Sequence, residues 1–167
     1  MEVKTAIENR RSIRKYKAKP IPQSVLLELL EAARLAPSGA NRQPFQLIVV
    51  TDPVKKKGLV PLCKNQAFVD EASVFIAGID DPQQKWSKVD LSIALDHLSL
   101  AAVEKGLGTC WVGAFDPEKL AEYLGVPKDK VITVCMSLGY PDESPDARSR
   151  KPIKDITYWN KYGNIEE

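Results

Sequence analysis

Apolar residues recur at helical spacing in several stretches of this chain. Residues 23–35 carry them on one side of a helix, and Pro37 and Gly39 follow where that helix must end. Another helix begins after Asp116, because Asp is a favoured N-cap and Pro117 suits the first helical position. The pattern predicts helices at residues 3–9, 23–35, 54–59, 88–105 and 117–124.

Short continuous apolar runs separate these helices. They predict buried strands at residues 45–51, 72–79 and 131–138, and a short apolar segment covers 110–113. Few strands alternating with several helices indicate an α+β or α/β sandwich with a mixed central sheet. A length of 167 residues suits one domain, so we expect a single domain over 1–167.

The helix predicted at 88–105 is apolar on more than one side. Its large apolar residues cannot all face one core, and a single small domain has little room to bury both sides. These residues are Leu91, Leu95, Leu98, Leu100, Ala101 and Val103. The simplest arrangement is a two-fold interface in which this helix meets its own copy.

The C-terminal tail carries three aromatic residues, Tyr158, Trp159 and Tyr162, after a proline-rich linker. Aromatic side chains bury large apolar areas, so they are costly to leave in water. The tail could fold back on its own domain or lie on a partner subunit.

Composition excludes several classes of protein. The start of the chain has no signal-peptide core, and the apolar runs are too short to cross a bilayer, so we expect a cytoplasmic protein with no membrane contact. The three cysteines, Cys63, Cys110 and Cys135, show no metal-ligand spacing, which favours buried free thiols. With only one histidine, a histidine-based metal site is excluded, and we expect no bound metal.

Side-chain catalysis has little support. His97 lies among apolar residues in the middle of a predicted helix, where a packing role is expected. The chain has no Walker A or GxGxxG motif. The acids beside predicted turns, Asp80, Asp81, Asp142 and Glu143, are expected to be solvated. If the protein is an enzyme, a bound cofactor does the chemistry, and we name no catalytic residue.

The net charge of +2 conceals a segregation of charge along the chain. Residues 1–20 hold seven basic and two acidic residues, and residues 147–154 hold four basic and no acidic ones, whereas the middle is acidic. The two ends could be solvated tails, or they could meet in the fold and form one anion site. The acidic middle and the scarcity of aromatics in the basic runs disfavour nucleic-acid binding.

Four segments carry candidate chemistry. Residues 10–14 place three arginines and a serine together, a combination that can hold a phosphate. Residues 37–45 form a loop with small residues and two amides before a strand, which lets backbone approach a ligand. The third segment is residues 106–113, and the fourth consists of residues 138–141 followed by residues 148–153.

In their order and spacing, these segments resemble the nitroreductase family over nearly the whole chain. The resemblance implies an α+β three-layer sandwich with a mixed, mainly antiparallel central sheet flanked by helices. It also implies an intertwined homodimer with two FMN sites at its interface, and a tail over 155–167 that wraps onto the partner. Because the chain is short for the family, covering helices are expected to be absent and the acceptor side to be open.

The resemblance also implies the cofactor-binding residues. Arg10, Arg11, Ser12 and Arg14 match the N-terminal FMN-binding run, and Arg148 and Arg150 match the basic pair that reaches the same phosphate. Asn65 resembles a residue at the pyrimidine edge of the flavin, and Arg14 is our candidate for a positive group near N1–C2. The segment expected along the isoalloxazine is Trp111, Val112, Gly113 and Ala114. The residues expected from the other subunit are Pro37, Ser38, Gly39 and Asn41.

The implied activity is hydride transfer from NADH or NADPH, through flavin N5, to a nitroaromatic, quinone or similar small-molecule acceptor, in a ping-pong mechanism. Other flavin chemistry on the same scaffold is the alternative, such as flavin reduction, dehalogenation or ring oxidation. A flavin-binding protein without significant turnover is a second alternative.

Overall fold

The fold was determined as a computed structural model, which describes residues 1–165. Its elements in chain order are α1 (Val3–Asn9), α2 (Gln23–Arg34), β1 (Phe45–Val50), α3 (Pro53–Leu62), α4 (Phe68–Glu71), β2 (Val74–Asp80), α5 (Ser87–Glu104), β3 (Gly108–Val112), α6 (Pro117–Leu124) and β4 (Val131–Gly139). Single 3-10 turns lie at Gly39–Asn41 and Ile153–Asp155. Residues 166 and 167 of the predicted tail lie outside the described part.

The four strands form one sheet in the order β1-β2-β4-β3, with antiparallel pairing throughout. Two isolated bridges extend it: Ser12 pairs with Thr109 in parallel, and Tyr16 pairs with Pro141. The N-terminal segment that carries the arginines therefore runs along the β3 side of the sheet.

Helices cover both faces of the sheet and enclose two apolar cores. One core packs α2 and α5 against residues such as Ile76 and Met136. The other packs α3, α4 and α6 against residues such as Phe75 and Cys135. The predicted α+β sandwich of three layers is confirmed.

Local signals explain which elements sequence predicts. Helix α6 begins as expected, with the Asp116 side chain accepting a hydrogen bond from the Lys119 N–H at 3.1 Å. It ends at Gly125, whose φ of 69° favours glycine. In contrast, α4 has only four residues and was not predicted, and the segment expected at 110–113 is a strand that begins at Gly108.

The prediction that Asp80 is solvated is wrong. Asp80 was expected in solvent, but it is buried at the end of β2 and accepts a hydrogen bond from Thr133 on β4. Neighbouring Asp81 pairs with Lys130 at 2.9 Å, and that ammonium lowers the pKa of the Asp81 carboxyl. Strand pairing buries Asp80, so its own sequence neighbourhood gives no warning.

Helix α5 has the two apolar sides that sequence predicted. Its inner side, including Leu91, Leu95 and Leu98, is fully buried in the core beneath the sheet. Its outer side is only half-buried at Ile93 and Leu100 within one chain. Among residues 1–165, no helix is both long and apolar enough to cross a membrane.

Candidate functional site

The two basic ends of the chain meet in the fold. Arg10, Arg11, Ser12 and Arg14 line one pocket of about 350 Å³ together with Arg148 and Arg150. We call these six residues and their cavity the arginine pocket. The sequence left open whether the two ends meet. Within residues 1–165 they do meet, because residues of both ends line this one pocket.

The N-terminal wall of this pocket is anchored to the sheet by the residues between the arginines. The backbone N–H of Ile13 donates to the carbonyl of Thr109 at 2.9 Å, and the Ile13 side chain is buried. A Cβ at Gly108 would lie 2.4 Å from Ile13 Cγ1, so glycine is required there for this close approach. Burial of Ile13 leaves Ser12 and Arg14, on either side of it, to line the pocket.

Positive charge in the pocket is not neutralised by ion pairs. Within residues 1–165, none of its five arginines pairs with an acidic side chain, although Glu8 and Asp146 also line the cavity. Arg11 donates to the carbonyls of Glu8 and Arg10 instead. Unpaired guanidiniums that converge on one cavity are suited to binding an oxyanion such as a phosphate.

One nearby acid is bound by backbone. The Glu143 carboxylate accepts hydrogen bonds from the backbone N–H groups of Arg14 and Lys15, the second at 3.2 Å. This contact ties the segment that follows β4 to the N-terminal segment. Glu143, expected in solvent, is half-buried and has this structural role.

The loop over residues 37–44 lies at the opposite end of α5 from the arginine pocket. The Gly39 N–H donates to Oδ1 of Asp90 in the first turn of α5 at 3.1 Å, and the Ser87 hydroxyl donates to the Pro44 carbonyl at 2.7 Å. The cavity beside Arg10 and Arg11 is instead lined by Val103, at the other end of the helix. With 18 residues, α5 is about 27 Å long, so the loop and the pocket of one chain are far apart.

The loop holds an unusual backbone conformation. Ala40, Asn41 and Gln43 have φ values of 50°, 54° and 50°, in the left-handed region that non-glycine residues rarely adopt. The Gln43 N–H donates to the Ser38 hydroxyl at 3.0 Å, which stabilises this shape. Pro37 and Asn41 are exposed, whereas Ser38 and Gly39 are half-buried.

A third group of predicted residues lies where β3 ends. The side-chain amide of Gln66, next to Asn65, donates to the carbonyl of Ala114 at 3.0 Å, so the Asn65 turn adjoins this segment. Gly113 and Ala114 are exposed, but the Val112 side chain is buried in the core. Val112 can therefore meet a ligand only through its backbone.

Groups that could act as nucleophiles or bases lie away from these regions or are inert. The three cysteines are free and buried, and burial raises the pKa of the Cys63 thiol to about 11. His97 is half-buried in an apolar groove lined by Met1, Leu35 and Leu100. No cluster of three or more potential metal ligands occurs among the residues that the structure describes.

Comparison with known proteins identifies the family. A family model described as "Nitroreductase family" matches residues 7–79 and 63–140 of this chain. The chain belongs to the nitroreductase family. The resemblance found in sequence is confirmed.

Relatives of this nitroreductase-family chain cover most of its length. A Thermus thermophilus protein named NADH dehydrogenase is 31% identical, with 95% of this chain and 96% of the relative covered. A Bacillus subtilis protein named FMN reductase [NAD(P)H] is 29% identical, over 99% of this chain and 76% of the relative. Among solved structures, the Vibrio harveyi NADPH:FMN oxidoreductase complexed with NAD+ has a TM-score of 0.91 and 27% identity, covering 98% of this chain and 79% of that one.

Sequence missed four residues that shape the site of this family member. Asp90 and Ser87 fasten the loop, and Tyr16 and Ser137 fasten the N-terminal wall of the arginine pocket. The partners of Asp90, Tyr16 and Ser137 in these contacts lie far away in the sequence. Spacing within the sequence therefore could not have found these contacts.

Proposed function

We propose that this nitroreductase-family chain is an FMN-dependent oxidoreductase that uses NADH or NADPH to reduce a nitroaromatic, quinone or similar small acceptor. The observation that carries the proposal is the arginine pocket, where both ends of the chain supply unpaired guanidiniums. Names of relatives and structural neighbours, such as FMN reductase [NAD(P)H], support the cofactor and the donor.

The residues present fit FMN. The arginine pocket offers charge-assisted donors for the terminal phosphate, with Arg10 and Arg150 as the flanking pair. The exposed backbone at Gly113 and Ala114 offers a surface for the isoalloxazine, and Asn65 offers an amide at its pyrimidine edge. Arg14 lines the same pocket and is our candidate for the positive group near N1–C2.

Bound FMN would supply the redox chemistry, by accepting hydride at N5 from NAD(P)H and passing it to the acceptor. The tasks of the chain are then to bind the phosphate, orient the ring and leave one face open for donor and acceptor in turn. No side chain need act as an acid, because solvent can provide the proton. The use of one flavin face by the donor first and the acceptor second corresponds to a ping-pong mechanism.

We propose a homodimer in which each flavin site combines two chains. Within one chain, the loop over 37–44 and the arginine pocket lie at opposite ends of α5. If the outer side of α5 packs antiparallel against its copy, the loop of one subunit comes to the pocket of the other. Pro37, Ser38, Gly39 and Asn41 would then line the partner's flavin.

The exposed apolar surface of a single chain supports this assembly. On α1, Val3 and Ile7 are 69% and 58% exposed, and in the tail Trp159 and Tyr162 are 50% and 85% exposed. A partner subunit that covered these side chains would remove their apolar area from water. We propose that the tail, described here to residue 165, lies on the partner as part of the single domain over 1–167.

The free cysteines and the nucleotide donor suit a reducing compartment, so we place the protein in the cytoplasm.

Anaerobic reduction of the purified protein tests the function. The protein should bind FMN, turn yellow, and lose its flavin absorbance when NADH or NADPH is added. A nitroaromatic or quinone should then restore the colour, and initial rates should give the parallel double-reciprocal lines of a ping-pong reaction. A protein that binds no FMN would contradict the proposal, and one whose bound FMN neither nucleotide reduces would be a binding protein only.

A further inference from the structure

We propose that Tyr16 is a positioning residue for the phosphate of FMN, acting through the backbone of the arginine pocket. The inference rests on the proposed function. The Tyr16 hydroxyl lies 2.7 Å from the Ile13 carbonyl oxygen and 2.8 Å from the Ser137 Oγ. It joins the segment that carries the arginines to the C-terminal part of β4.

The direction of these hydrogen bonds follows from their chemistry. A carbonyl can only accept, so the single phenol hydrogen goes to Ile13, and the Ser137 hydroxyl donates to Tyr16. Burial raises the pKa of Tyr16, which keeps the phenol protonated and able to donate. Tyr16 is 7% exposed and Ser137 is fully buried, so water cannot replace either partner.

The fold makes room for this contact. A Cβ at Gly139 would lie 2.8 Å from Tyr16 Cδ1, so only glycine on β4 lets the ring reach its position. The adjacent Lys17 N–H donates to the Tyr140 carbonyl at 2.9 Å, which fixes the chain just beyond the ring. The segment is thus held at two points: Ile13 is bound to Thr109 of β3, and Tyr16 is bound to Ser137 of β4.

Ser12 and Arg14 lie on either side of Ile13, and Arg10 and Arg11 directly precede them. Their side chains converge on the pocket only if this stretch of backbone stays in register with the sheet. Binding to a preorganised set of donors avoids the cost of ordering them during association. Loss of the Tyr16 hydroxyl would leave the Ile13 carbonyl without its donor and loosen the wall.

This role has a signature that general destabilisation lacks. Only FMN carries the phosphate, whereas FMN and riboflavin share the isoalloxazine ring. A loosened arginine pocket should therefore weaken FMN far more than riboflavin, which lacks the phosphate and would lose only the contact of its ring with Arg14. A general loss of structure would weaken both flavins together.

The test is flavin titration of the full-length Tyr16→Phe variant, which keeps the ring and removes only the hydroxyl. We expect the Kd for FMN to rise about three- to tenfold, as for loss of one buried hydrogen bond, with riboflavin within about twofold of wild type. Tyr123→Phe is the matched control. The Tyr123 hydroxyl on α6 donates to the backbone carbonyl of Lys55 on α3, and neither residue lines the arginine pocket. This control should leave both affinities unchanged.

A second variant reaches the same contact from the other side. Ser137→Ala should give a smaller loss that is also selective for FMN, and the two changes combined should be less than additive because they share one interaction. If Tyr16→Phe folds poorly, Ser137→Ala carries the test alone. Equal weakening of FMN and riboflavin, or an unchanged FMN affinity, would overturn the role of Tyr16, whereas wild-type protein that binds no FMN would overturn the proposed function as well.

Discussion

The regions at the two ends of α5 differ in what a single chain assembles there. At its C-terminal end, one chain assembles the arginine pocket from both of its own termini. At its N-terminal end, Asp90 and Ser87 hold the loop over 37–44 in a strained shape, and Asn41 is exposed. Strain that the surrounding structure maintains is common at ligand sites. In the proposed dimer these two regions are half-sites, which a two-fold axis across α5 would unite into one flavin site.

The largest expected effect comes from breaking the contact between the helices. Leu100→Arg places a charge on the half-buried outer side of α5, and two-fold symmetry doubles it in the interface. We expect monomers whose FMN affinity is lower by about a hundredfold or more, because an interface does not tolerate unpaired buried charge.

Sedimentation and flavin absorbance on the same sample would measure both effects. Val54→Arg, on a residue that is 80% exposed on α3, is the control for added charge and should stay a yellow dimer. A monomeric Leu100→Arg protein that keeps FMN would contradict the two-chain site, since one chain would then be enough to bind FMN.

Removing one guanidinium from the arginine pocket should have the next largest effect. Arg10→Ala or Arg150→Ala should weaken FMN by about ten- to a hundredfold, since one charge-assisted hydrogen bond is worth about 1.5–3 kcal/mol. Riboflavin affinity should change little. Arg34→Ala, which removes an arginine paired with Glu31 on the surface of α2, is the control. If FMN and riboflavin weaken equally, these arginines do not contact the phosphate.

At the loop, the selectivity for FMN over riboflavin should disappear. Asp90→Ala removes the acceptor for the Gly39 N–H, and the loosened loop should weaken FMN and riboflavin alike by about three- to tenfold. Asp90→Asn keeps an oxygen for the same hydrogen bond and should restore most of the affinity. Titration with both flavins checks this, and a loss confined to FMN would show that the loop does not face the ring.

The smallest effect is expected at His97. His97→Gln should keep the rate of flavin reduction within about tenfold of wild type, because His97 lies in an apolar groove on the outer side of α5 rather than in either half-site. Stopped-flow reduction by NADPH or NADH measures this rate. A loss of several orders of magnitude with FMN still bound would make His97 a catalytic residue.

Sequence predicted those parts of the fold and site that have local causes. The ends of α6 follow from Asp116, Pro117 and Gly125, each of which acts on its own backbone. Residues 10–14 can be predicted as a candidate phosphate-binding run because several arginines stand close together in one stretch of sequence. The meeting of the two basic ends was an open alternative until the fold was known.

Contacts between distant segments could not be predicted in this way. Asp80 becomes buried through Thr133, 53 positions further along the chain, and Tyr16 finds Ser137 at a separation of 121. Helix α4 was missed because four residues are too few to show a helical period. For Asp80 and Tyr16, the partner that decides the contact comes from a distant segment of the chain.

A mixed dimer tests most directly the claim that each flavin site combines two chains. One subunit would carry Arg10→Ala, which damages the pocket, and the other Asp90→Ala with Asn41→Ala, which damages the loop; two different affinity tags would isolate the mixed species. If pocket and loop come from different chains, one site receives both defects and the other receives none. We therefore predict that half of the sites bind FMN with wild-type affinity. If pocket and loop of the same chain formed each site, every site would be defective, and the absence of wild-type affinity in the mixed dimer would contradict the account.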